Sequence, residues 1–115
     1  MRKWIYESYL QAKMAMLRMW EQHWGKMICA VCGERIKGSP VCHHVWLSQR
    51  FKKAKSDLRN LAPVHSRCHD RAHSDLAAEV ERRLLLVLGD GDLEKGRKIV
   101  DEAGNEWTPR TWRNI

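Results

Sequence analysis

Residues 41–73 read VCHHVWLSQRFKKAKSDLRNLAPVHSRCHDRAH, and the spacing inside this stretch decides the fold. His43 and His44 stand side by side in a short apolar run, Val41 to Leu47, that reads as a strand. His69 and His73 follow four residues apart, and Asn60 lies between the two pairs. Residues i and i+4 share one face of a helix, so His69 and His73 can hold one metal ion together. Neighbouring side chains of a strand point to opposite faces. One of His43 and His44 can therefore complete the metal site while the other stays free to act as a base. Alternation alone does not say which.

A second set of ligands is threaded through the first. Cys29-x2-Cys32 and His65-x2-Cys68 have the same two-residue spacer and supply the four N or S donors that a tetrahedral structural zinc requires. Gly33 follows the second cysteine, where a small residue relieves crowding in a tight turn. The two halves bracket the strand pair, Val41–Leu47 and Leu61–Val64, and pin it to the start of the helix that follows. Cys68 and His69 are consecutive, hence about 100° apart around that helix, and one helix start can face two ions. Cys42 is left over. It can replace His65 as a ligand, but its spacing pairs with nothing, and it reads as a small buried strand residue. Four cysteines in a chain with no export signal read as thiolates rather than disulfides.

Outward from this core, residues 3–24 read as one amphipathic helix. Ile5, Tyr9, Ala12, Met16, Met19 and His23 recur at helical spacing, and Gly25 is the stop. Residues 28–38 read as a zinc knuckle, and Gly38-Ser39-Pro40 breaks the chain before the first strand. Pro63 places the second strand at an edge or a strand end. From Ser66 a helix is predicted to run to Leu88, with Gly89 as its stop and Leu76, Val80, Leu84 and Val87 on one face. Beyond it, Asp92 can cap a short helix that Gly96 weakens. Ala103-Gly104-Asn105 reads as a turn between extended pieces, with Trp107 and Trp112 packing the tail onto the body.

The 115 residues fit one domain: a helix over 1–27, knuckle and core over 28–75, helix and tail over 76–115. Apolar runs such as Leu84 to Leu88 fall far short of the roughly 18 residues that span a bilayer. Lys13, Arg18 and Glu21 interrupt the N-terminus before any apolar stretch of signal length, so a soluble intracellular protein is expected. The net charge of +7 is uneven: +3 over residues 1–27, +5 over 28–75 and −1 over 76–115. The positive field surrounds the histidines, and its natural partner is a polyanion, nucleic acid above all.

The His-His pair, Asn60-Leu61 after a basic loop, and Cys68-His69-x3-His73, flanked by Cys29-x2-Cys32 and His65-x2-Cys68, resemble the HNH endonuclease family. The resemblance covers residues 24 to 75 well and the flanks loosely. It implies an α+β fold, a ββα-metal (His-Me finger) core with a structural zinc site, flanked by an N-terminal helix and a long helix after the motif. It further implies His44 as general base. His43, His69 and His73 are implied as ligands of a single divalent ion, and Asn60 as the group that holds the loop backbone so that His44 is oriented and polarised. Many family members have Asp where this chain has His43. A three-histidine site is neutral and softer, and it favours Mn2+, Co2+, Ni2+ or Zn2+ relative to Mg2+. His65 stands where the family usually has cysteine, which leaves the zinc chemistry sound.

The basic segment carrying Arg50, Lys52, Lys53, Lys55 and Arg59, with Arg67 and Arg71 at the helix start, is the expected DNA-contacting set. No recognition helix is evident, so weak sequence preference is expected. The expected activity is metal-dependent DNA cleavage, with nicking because one active site cuts one strand. The alternative is a zinc-stabilised DNA-binding accessory without catalysis. The size resembles small phage-encoded HNH proteins found beside DNA-packaging genes. That likeness implies a terminase partner, a monomer or weak dimer, and a place in the cytoplasm of a bacterial host.

Overall fold

The computed structural model of the chain describes residues 3–46 and 52–107, with the side chains of Lys52, Lys53, Asn105 and Trp107 left undescribed. Arg50 and Trp112 lie outside the described residues, as do the side chains of Lys52, Lys53 and Trp107.

Helix α1 spans Tyr9–Trp24, starting later than the residue 3 expected from periodicity. Ser8 is extended, and its side chain accepts from Gln11 N at 3.1 Å, a sound N-cap. Residues 4–6 do not join the helix because their backbone groups are used elsewhere. Leu58 N donates to Trp4 O and Tyr6 N to Ser56 O, both at 2.9 Å, and Ile5 forms an antiparallel bridge with Asp57. The helix ends as expected at Gly25, where φ is 80° and the N–H bonds to Glu21 O. Its inner face is Ala12, Ala15, Met16, Met19 and Trp20.

The sheet has two antiparallel strands, β1 (Val41–His44) and β2 (Leu61–Val64). Cys42 pairs with Pro63 and His43 with Ala62. β1 stops at His44 rather than at Leu47 because Asn60 draws the chain inward. Val45 N donates to Asn60 O at 2.8 Å, and Trp46 N to Asn60 Oδ1 at 2.5 Å. In a two-stranded sheet every strand is an edge, which is where Pro63 is tolerated. Its carbonyl accepts Ala30 N at 2.8 Å and so fastens the knuckle to β2.

After β2 the expected single helix from 66 to 88 is broken. A 3-10 turn, Ser66–Cys68, leads into helix α2 (His69–Ala72), and helix α3 (Ala77–Leu88) begins only after four intervening residues. The break has a local cause. Ser74 Oγ donates to the Asp70 carbonyl, and Leu76 N reaches back to Arg71 O, so the i to i−4 ladder is interrupted over 73–76. The order β1, β2, α2 is the expected ββα arrangement.

The C-terminal reading needs a larger correction. Helix α4 runs unbroken over Leu93–Trp107, through Gly96 and Gly104. Asp92 caps it, its carboxylate accepting from Glu94 N and Lys95 N at 3.0 and 3.3 Å. The glycines are there for packing rather than for a break. A Cβ at Gly96 would collide with the Leu85 carbonyl, and one at Gly89 with the Asp92 carbonyl. Helices α3 and α4 pack together at this crossing, and Val100 is buried there. One core joins α1, the knuckle, the sheet, α3 and α4 around Trp20, Met16, Leu61, Val80, Leu84 and Leu88.

Candidate metal centres

The knuckle is a small hairpin. Ile28 bridges Arg35, Cys29 N donates to Glu34 O at 2.8 Å, and Gly33 takes φ 78° so that its N–H returns to Cys29 O at 2.9 Å. This turn and the 3-10 turn after β2 bring Cys29, Cys32, His65 and Cys68 together, their ligand atoms all within 4.8 Å of one another. The donor chemistry fits zinc. His65 Nδ1 lies 3.4 Å from Cys32 Sγ and 3.9 Å from Cys68 Sγ, while His65 Nε2 meets the Arg35 carbonyl at 3.1 Å. The carbonyl claims the Nε2 proton and leaves the Nδ1 lone pair facing the thiols, the arrangement by which a second hydrogen bond fixes a ligand's tautomer. Val31 N and His65 N point at Cys29 Sγ at 3.4 and 3.3 Å. Burial raises the Cys29 thiol, but the N–H groups of Cys32, His65 and Val31 outweigh it, and its pKa lies below the ordinary thiol value. Burial and the neighbouring Cys29 and Cys32 push Cys68 up to about 11. These four residues can hold a metal such as zinc. Cys42 is not among them; it is half-buried on β1, hydrogen-bonded to Tyr9.

Arg83 of α3 braces this site and was not evident from sequence. Its Nη1 donates to Ala30 O at 2.9 Å and Val31 O at 2.8 Å, and its guanidinium lies against Gly33. A Cβ at Gly33 would sit 2.9 Å from Arg83 Nη2.

The second cluster is His43, His69 and His73, again with one ligand atom from each within 4.8 Å of the others. The break after α2 does not disturb it, because His73 follows Ala72 as the C-cap in a right-handed conformation. Ring centroids are 5.2 Å apart for His43 and His69, 4.5 Å for His43 and His73, and 5.1 Å for His69 and His73. His43 is 2% exposed, and its Nδ1 is buried with no hydrogen-bond partner. A buried imidazole nitrogen without a partner is costly in an apolar setting, and a cation is the partner that three convergent imidazoles suit. Burial, then His73, His69 and His44, push the His43 pKa down to about 3, so the ring is neutral at physiological pH.

His44 has different neighbours. Tyr9 of α1 stacks on its ring, centroids 5.6 Å apart at 26°, and the Lys55 carbonyl faces it as a backbone hydrogen-bond partner. Its Nε2 is buried without a partner. Burial lowers its pKa, the Lys55 carbonyl opposes that, and the charges of Lys55 and His69 lower it further; the net direction is down. Asn60, fully buried, bridges two backbone segments. Its Oδ1 accepts Trp46 N just past β1, and its Nδ2 donates to Ala54 O at 3.1 Å in the 3-10 turn Lys52–Ser56. It therefore fixes the carbonyl next to Ala54, that of Lys55, near His44. Tyr9 and Trp46 were not singled out in the sequence as site residues. Their roles depend on contacts 35 and 14 residues away along the chain.

Of the basic residues expected at DNA, Lys55, Arg67 and Arg71 are exposed, Arg71 in an ion pair with Asp75 at 2.9 Å. Arg59 is a correction. It is 2% exposed, and its guanidinium is turned inward onto Asp57, with Nε 2.9 Å from Oδ1 and Nη2 2.7 Å from Oδ2, and onto Glu106. At 2% exposure, and paired with two carboxylates, this guanidinium is not presented to a phosphate backbone.

Within the described residues no helix is long and apolar enough to cross a membrane. No curated protein and no solved structure matches the chain. The family model described as HNH endonuclease matches residues 29–75, a span that opens on the first cysteine of one cluster and closes just past the last histidine of the other. Both clusters, His44 and Asn60 thus lie inside the span over which this chain matches the HNH endonuclease family.

Proposed function

We propose that the protein is a metal-dependent DNA endonuclease that hydrolyses phosphodiester bonds. His43, His69 and His73 are the ligands of one divalent ion, His44 is the general base, and Cys29, Cys32, His65 and Cys68 hold a structural zinc. The observation that carries this reading is the divided environment of two adjacent histidines. His43 converges with His69 and His73, whereas His44 meets Tyr9 and the Lys55 carbonyl. The bound ion supplies charge that stabilises a phosphate oxygen and the leaving 3′ oxygen. His44 takes the proton of the attacking water; its lowered pKa keeps the ring able to accept one at neutral pH. Asn60 and the Lys55 carbonyl hold that ring in direction. Lys55, Arg67 and Arg71 neutralise the neighbouring phosphates, and the three-imidazole donor set favours Mn2+, Co2+, Ni2+ or Zn2+ over Mg2+. One site per chain cuts one strand, so the first product is a nicked circle. The resemblance of its motifs to those of small phage-encoded HNH proteins supports work beside a packaging terminase in a bacterial cytoplasm, as a monomer or weak dimer.

The test is relaxation of supercoiled plasmid in each of the five ions. His44→Ala is expected to slow cleavage about 10²- to 10⁴-fold. Undiminished cleavage in that variant would remove His44 as the base. Salt-sensitive DNA binding without cleavage in any ion would make the protein a zinc-stabilised binding module instead.

A further inference from the structure

The proposed mechanism leaves unused a buried ion pair one residue before Asn60. Asp57 is 0% and Arg59 2% exposed, whereas the Arg71–Asp75, Arg82–Glu79, Lys95–Asp90 and Arg97–Glu94 pairs lie at the surface. The pair is tied into backbone on every side. Asp57 Oδ1 also accepts Arg59 N at 2.9 Å, Asn60 N donates to Asp57 O at 3.0 Å, and the Arg59 carbonyl accepts Trp46 Nε1 at 3.2 Å. Two elements outside residues 29–75 reach the same guanidinium. Glu106 of α4 pairs with Nη2, and Trp4 of the N-terminal segment lies under the charge at 5.8 Å.

We propose that Arg59 is a positioning residue: locked onto Asp57 and gripped from α4 by Glu106, it fixes the turn Leu58–Asn60, so that the Asn60 amide can span Trp46 N and Ala54 O and hold the Lys55 carbonyl against His44. The flanks thereby act on the site without touching DNA or metal. A point charge in place of the planar fork cannot meet both carboxylates and keep Nε on Asp57. Loss of the fork therefore leaves the ligands in place and loosens the aim of the base. A displacement near 1 Å at a reacting group can lower rate about 100-fold.

The inference rests on the nuclease reading, so its test has one arm that needs no cleavage. Arg59→Lys and Glu106→Ala are compared with the wild-type chain, both zinc-loaded. In plasmid cleavage, kcat is expected to fall about tenfold or more in Arg59→Lys and less in Glu106→Ala, with KM within about twofold. In spectra of histidine-labelled protein, the His44 ring N–H signal, assigned by its loss in His44→Ala, is expected to shift or broaden in Arg59→Lys while the His65 signal stays. A role confined to stability would lower the melting temperature and leave both kcat at low temperature and the His44 signal unchanged; that result overturns the proposal. If the wild-type chain cleaves nothing, the nuclease reading fails and the spectral arm alone decides whether Arg59 aims His44. Should Arg59→Lys not fold, Glu106→Ala, altered at a half-exposed side chain, decides on the same two readouts.

Discussion

His43 and His44 differ by one peptide bond and end in opposite chemical circumstances. The alternation of a strand announces that they part, but it carries no label for the inner face. That label comes from where α2 packs, and the side facing His69 and His73 belongs to His43. Its depressed pKa has a consequence for stability. The unfolded ring takes a proton near pH 6.5 and the folded ring only near 3, so the unfolded state binds more protons between those values. Stability from this group is present above about pH 6.5 and is lost as pH falls toward 3, at up to about 1.4 kcal/mol per pH unit. Denaturant midpoints from pH 7 to 4, measured without added divalent ion, should fall less steeply in His43→Gln than in the wild-type chain. Identical slopes would mean that the His43 ring is not held neutral by its surroundings.

At the scale of elements, glycine was the residue most easily misread. Gly96 and Gly104 look like breaks in a sequence window, and both lie inside α4. Nothing local distinguishes a glycine that ends a helix from one that lets a second helix approach; the difference lies in the partner, here the Leu85 carbonyl of α3. The two causes predict opposite signs for Gly96→Ala. Helix propensity alone would stabilise by about 1 kcal/mol. The collision with backbone, which cannot swing aside as a side chain does, is expected to win and to destabilise by about 1–3 kcal/mol. Urea unfolding decides: a variant as stable as the wild-type chain, or more so, would mean that α3 and α4 separate at little cost. Arg83 belongs to the same lesson. Its two bonds to the knuckle carbonyls cross more than 50 residues, and no periodicity on α3 marks it.

For the whole molecule, what could be read in advance was what depends on short spacing. The Cys29-x2-Cys32, His65-x2-Cys68 and His69-x3-His73 pairs and the adjacent His43 and His44 are marked by separations of a few residues within 29–75. Tyr9, Arg59 and Glu106 could not be read this way, because contacts between distant segments give them their partners. The two candidate metal clusters therefore carry unequal weight in the fold. The Cys29, Cys32, His65 and Cys68 set joins the knuckle to the end of β2 and the start of α2, and Cys29 is fully buried in the core shared with α1 and α3. The histidine set joins only β1 to α2, which the sheet and Cys68 already hold close. Zinc binding to the first should be inseparable from folding, because the unfolded chain does not preform four converging donors. Cys68→Ser is thus expected to lose zinc and its cooperative melting transition together. His73→Ala should keep both and lose only the ion bound at the histidines and any cleavage that depends on it. Metal analysis paired with thermal melting of the two variants separates the roles. If Cys68→Ser retained one zinc per chain and an unchanged melting temperature, the fold would have to be held by its apolar core alone.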